Sequence, residues 1–129
     1  MTLQVNIVIA QSNPDIRALL GRIPRGAYCI SYIEIAQRMT SSDHYSVEPS
    51  EHVIFTTMWK QLNKALKTNK IKQIYLILTS LNEKQLDIIF NFINKIVPRC
   101  EFVIHTNDSK HENLKHKIQS LNLAINGEA

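Results

Sequence analysis

The sequence predicts an α/β fold, a single doubly wound parallel sheet with helices on both faces, built from five βα units in one domain over residues 1–129. Three observations predict it. Apolar runs of strand length alternate with amphipathic stretches of helical period along the chain. The connections between them are short, and parallel strands need a helical crossover to return to the same edge. A length of 129 residues also suits one hydrophobic core rather than two. With 44% apolar and 20% charged residues the composition is that of a globular domain, which excludes a disordered, collagen-like or purely coiled-coil chain.

The first element is Val5 to Ala10, an apolar run of strand type. It stops at Gln11-Ser12-Asn13-Pro14, where Asn13 is expected to cap a helix and Pro14 suits a first helical position that needs no N–H. Helix one presents Ile16, Leu19, Leu20 and Ile23 on one side and is stopped by Pro24 and Gly26. Tyr28 to Ile35 is rich in β-formers but broken by Ser31 and Glu34, as expected of a strand near the sheet edge. Ala36 to Glu51 has little periodicity and reads as a surface excursion with at most a short helix at Ala36 to Met39.

His52 to Thr56 admits two readings, a strand or the first turn of a long helix. Val53, Ile54 and Phe55 are strand formers of low helical preference, whereas Met58, Trp59, Leu62, Ala65 and Leu66 recur at helical spacing. The segment is therefore divided into strand three and helix three. Ile71 to Thr79 is the clearest buried strand, with five consecutive apolar residues from Ile74 to Leu78. Helix four has a near-complete start signal, with Asn82 as cap, Gln85 three residues on, and Leu81 placed to staple Leu86. Phe102 to His105 is strand five. Ser109 and Glu112 form a capping box for a last helix with Leu114, Ile118 and Leu121 on its apolar side.

Lys and Arg number 15 against 11 for Asp and Glu, a formal charge of +4 that permits an acidic partner without demanding one. All of the excess lies after Ser50, and no acidic residue occurs between His52 and Asn82. The three glycines, Gly21, Gly26 and Gly127, cannot make a phosphate-cradling loop, so nucleotide-binding fingerprints are excluded. Cys29 and Cys100 show no disulfide spacing, which suits a reducing, cytoplasmic compartment. The first apolar run is too short for a signal peptide or a membrane span.

The string Ile7 to Leu20, IVIAQSNPDIRALL, resembles the first strand, acidic pair, turn and first helix of the receiver domains of two-component response regulators. LILTS, Leu76 to Ser80, is similar to that family's fourth strand ending in its switch Thr/Ser, here Thr79. The resemblance spans nearly the whole chain and implies a flavodoxin-like fold. It also implies a site at the carboxyl ends of the strands, with an acidic pair for a divalent cation, an aspartate acceptor and a lysine. Here the pair falls on Gln11 and Ser12, the acceptor on Thr57 or Thr56, and the lysine on Thr106 or His105. Neutral oxygens give no net charge to hold Mg²⁺, and threonine forms no acyl phosphate. The expectation is a pseudo-receiver, with Gln11, Ser12, Thr57, Thr79 and Thr106 as a vestigial strand-end pocket, no catalytic residue, no metal and no cofactor.

Other constellations are weak. His111, Glu112 and His116 read HENLKH, but a spacing of five turns two histidines about 140° apart on a helix, so a solvated basic helix explains them better than a zinc site. The two cysteines are most simply small apolar residues. Lys60, Lys64 and Lys67 form a stripe opposite Trp59, Leu62 and Leu66, which suits an anion-binding surface or an ordinary solvated face. Helix four carries a core stripe of Leu86, Ile89, Phe90, Ile93 and Val97, yet Ile88 and Phe92 point away from its centre. They suit a partner surface, extended by Phe102 and Leu123, or a site covered by a neighbouring loop.

The leading reading is a non-enzymatic regulatory or protein-interaction module acting through self-association or partner docking, with no membrane. The alternative is a small basic nucleic-acid-associated protein held by Lys60, Lys64 and Lys67 of helix three and by Lys110, Lys115 and Lys117 of the last helix. A small-ligand sensor using the hydroxyl-lined strand ends comes third.

Overall fold

In the computed structural model, which describes residues 3–42, 50–68, 71–97, 99–107 and 111–126, the strands are β1 (Leu3–Ile9), β2 (Tyr28–Ser31), β3 (Gln73–Leu78) and β4 (Cys100–His105). They form one sheet in the order β2-β3-β1-β4 with every neighbouring pair parallel. The helices are α1 (Asn13–Leu20), α2 (Tyr32–Ser42), α3 (Glu51–Leu66), α4 (Glu83–Ile96) and α5 (Glu112–Asn126). The α/β class and the parallel sheet agree with the sequence reading. The five βα units do not appear, because the described residues hold four strands. β1 is central, pairing with β3 on one side and β4 on the other, so that Ile7 lies level with Leu76 and Ile104. In the flavodoxin-like order 2-1-3-4-5 the first strand adjoins the second; here β3 lies between them.

The missing strand is His52 to Thr56, which forms the first turns of α3 instead. Ser50 caps that helix, its Oγ accepting from the Val53 N–H at 3.3 Å, and Ile54, Met58, Leu62 and Ala65 then form one continuous buried row. The helical penalty of a β-branched residue is at most about 0.7 kcal/mol, whereas burying one large aliphatic side chain is worth about 1.5–3 kcal/mol. Periodicity over the whole helix therefore outweighs local preference. β2 is likewise shorter than expected. Ser31 Oγ accepts from the Glu34 N–H at 3.3 Å and starts α2 directly, turning Tyr32, Ile35, Ala36 and Met39 onto the core. In α1 the cap is Ser12, which accepts from the Asp15 N–H at 3.3 Å, and Asn13 is already helical.

The capping box of α4 is present in both halves, Gln85 N–H to Asn82 Oδ1 at 2.8 Å and Asn82 N–H to Gln85 Oε1 at 3.0 Å. Ser109 lies outside the described residues.

The sheet's two faces differ. On one, Val5, Ile7 and Ile9 of β1, Ile74, Leu76 and Leu78 of β3 and Cys100 and Phe102 of β4 pack against side chains of α2, α3, α4 and α5. On the other, Val8, Ala10, Tyr75 and Ile77 pack against Ile16, Leu19 and Leu20 of α1, with Ile23 just beyond it. The alternation of strand side chains sorts these sets. The β4 edge is closed by a side chain: Asn122 of α5 accepts from the Phe102 N–H at 2.9 Å and donates to the Phe102 carbonyl at 2.7 Å. Its carboxamide does for Phe102 what a neighbouring strand would, blunting an edge open to pairing with another chain. Among the described residues no helix is long and apolar enough to cross a membrane.

Candidate functional site

The order β3-β1-β4 brings three strand ends side by side, and with them Thr79, Gln11 and Thr106. Carboxyl ends of parallel strands are where doubly wound sheets place ligands. The side chains of Gln11, Ser12 and Thr106 there are already engaged. Gln11 Nε2 donates to the Thr79 carbonyl, tying β1 to β3, and Ser12 is occupied as the α1 cap. Thr106 Oγ1 lies 3.1 Å from His111 Nδ1. Thr57 does not belong to this group: it stands in α3, with its hydroxyl donating to the Val53 carbonyl at 3.0 Å. Its expected place at a strand end went with the strand that became helix.

The titratable groups nearby are muted. Burial pushes the Cys100 thiol up to about 11, and Cys29 is also raised, by desolvation first and by Glu34 second. Neither is a ready thiolate. His105 is lowered by burial. Among the described residues no group of three His, Cys, Asp or Glu side chains could hold a metal ion.

A second site lies between α3 and α4. Phe55 and Trp59, four residues apart on α3, project from the side of the helix that meets α4. Phe55 touches Tyr32 at a ring separation of 5.3 Å and Trp59 at 6.4 Å, and Trp59 touches Phe92 at 5.4 Å. Above this aromatic row opens a groove of about 210 Å³ lined by Phe55, Trp59, Leu78, Leu81, Ile88 and Ile89, with Gln85 as its polar member. Ile88 stands at its rim, 52% exposed.

The three residues expected to form a partner surface therefore separate. Ile88 is exposed. Phe92 is half-buried, because Trp59 of α3 covers it. Phe102 is a core residue at 1% exposure, its ring 5.3 Å from that of Phe90, so it cannot meet a partner. Its strand alternation points it into the main core, as Cys100 is pointed. Leu123 is exposed on α5. Phe55 is the residue that the strand reading hid; continuing the helical period of Trp59 and Leu62 back to Ser50 would have aligned it with Trp59.

Lys60, Lys64 and Lys67 are exposed on the outward arc of α3, as expected. Lys84 and Lys95 are exposed on the outward arc of α4, on either side of Ile88 along the helix. Comparison of the chain with protein-family models, curated proteins and solved structures finds no match. The functional reading is carried by the site itself.

Proposed function

We propose that this protein is a non-enzymatic docking module of pseudo-receiver type that works without phosphorylation and binds a protein partner in the α3–α4 groove. The observation that carries the proposal is Ile88, a large apolar side chain 52% exposed at the rim of a groove floored by aromatic and aliphatic residues. An exposed branched aliphatic beside a concave apolar surface is the pattern of an anchor site, where a few desolvated contacts supply most of the binding energy.

The receiver resemblance enters only at the strand ends. Gln11, Ser12 and Thr106 offer neutral oxygen and nitrogen atoms where the phosphotransfer site needs carboxylates and an amine, and the bonds these side chains already make favour a structural role. Regulation through this chain would then run through occupancy of the groove and not through a covalent group.

The test is a photo-crosslinking phenylalanine placed at position 88 or, as control, at exposed Lys72 in the cell of origin. A discrete adduct formed from position 88 and absent from position 72 supports docking. An adduct of twice the chain mass would identify the partner as a second copy. No adduct from position 88, or the same pattern from both positions, would sink the proposal.

A further inference from the structure

We infer that the partner segment is acidic and amphipathic, a helix or turn that sets one large apolar side chain beside Ile88 and its carboxylates against the lysines flanking the groove. This inference rests on the docking reading above and adds the chemistry of the occupant. Lys60, Lys64 and Lys67 on α3 and Lys84 and Lys95 on α4 are exposed on the two helices between which the groove opens.

None of these five has an ion-pair partner among the described residues. The nearby carboxylates are paired or stand at one end of the groove. Asp87 is held by Lys117 of α5 at 2.9 Å, on the far flank of α4, and Glu34 is held by Arg38 at 2.8 Å. Glu51 and Glu83 sit in the first turns of α3 and α4, at one end of the groove.

A lysine-rich surface beside an apolar cleft favours a partner of opposite sign that also carries an apolar anchor. A bare phosphate backbone would use the lysines and leave the groove empty. The stacked contact of Trp59 with Phe55 and its tilted contact with Phe92 engage its ring inside the protein, which makes it a poor stacking platform for a base.

Trp59 is the only tryptophan and lines the groove, so its fluorescence reports occupancy directly. The probes are a helical Leu/Ala/Glu peptide, the same peptide with Lys for Glu, an oligo-dT strand and phosphatidylserine vesicles. The Glu peptide is expected to shift Trp59 emission and to bind at least tenfold more tightly than the Lys peptide. Its affinity should fall at least tenfold with Ile88→Asp, fall several-fold with Lys60→Glu plus Lys95→Glu, and weaken with added salt.

Equal binding of both peptides, each lost with Ile88→Asp, overturns the acidic partner and leaves the groove standing. Binding that ignores Ile88→Asp, or no Trp59 response to any peptide, overturns the groove itself. Tighter binding of oligo-dT or vesicles than of the Glu peptide overturns the partner class.

Discussion

The two faces of the sheet are closed by different physics. The face toward α2–α5 is apolar throughout, and its order comes from side chains that interdigitate. Phe102, Leu86, Ile93 and Leu62 are almost wholly inaccessible there. The α1 face is apolar only where α1 reaches. Toward β4 it carries Gln4, Asn6 and His105, joined by hydrogen bonds. Gln73 Nε2 donates to Gln4 Oε1 at 3.0 Å, Asn6 Nδ2 to the same oxygen at 3.4 Å, and His105 Nε2 lies 3.0 Å from Asn6 Oδ1. Because an amide oxygen only accepts, His105 Nε2 carries the proton. The His105 ring also stacks on Tyr75 at 6.4 Å, above Asn6, which is 3% exposed. Parallel sheets need both faces covered, and here a polar network completes what a single helix leaves open.

That contrast is sharpest in the main core. Phe102→Ala should remove a ring packed on Phe90 and cost about 3–5 kcal/mol of stability in urea unfolding. A loss below about 1 kcal/mol would mean that the core repacks freely and that the two faces are alike.

On the α1 face the expected cost is smaller and arises differently. Asn6→Leu keeps the branched shape but leaves His105 Nε2 without its acceptor, for a loss of about 1–3 kcal/mol. If Asn6→Leu proved stabilising, burial would be what that face lacks and the network would not be holding it.

The smallest effect is the pH dependence of the network. Burial holds the His105 pKa below its ordinary value, so as pH falls below about 6.5 the unfolded chain binds the proton before the native one does. The native state keeps its full share of stability above that pH and loses it as the folded value is approached. His105→Gln should therefore flatten the dependence of stability on pH between about 7 and 5, measured against wild type in parallel urea titrations. An unchanged slope would place His105 in free contact with water.

Much of this was legible beforehand where a local signal was strong. The Asn82–Gln85 capping box and the apolar run from Ile74 to Leu78 are found as read, and the lysines of α3 are exposed as read. The serines Ser31 and Ser50 were the signals passed over. Each stands at the start of a helix whose first residues, Tyr32 and Ile33 in one case and Val53 to Phe55 in the other, are good strand formers. With the caps recognised, the strand through His52 disappears, Thr57 leaves the strand ends, and Phe55 and Trp59 align as a groove wall.

Residue order alone decides the α/β class, the parallel character of the sheet and most helix starts, because these depend on periodicity and on caps within a few residues. Packing between distant segments decides the rest. The place of β1 between β3 and β4, the burial of Phe102, the cover of Phe92 by Trp59 and the clamp of Asn122 on the β4 edge join residues from about 20 to about 100 positions apart. Ile88 and Phe92, read alike as pointing away from the core stripe of α4, take different roles only once Trp59 of α3 is in place. Burial is a property of what lies across the gap, and no window along the chain contains it.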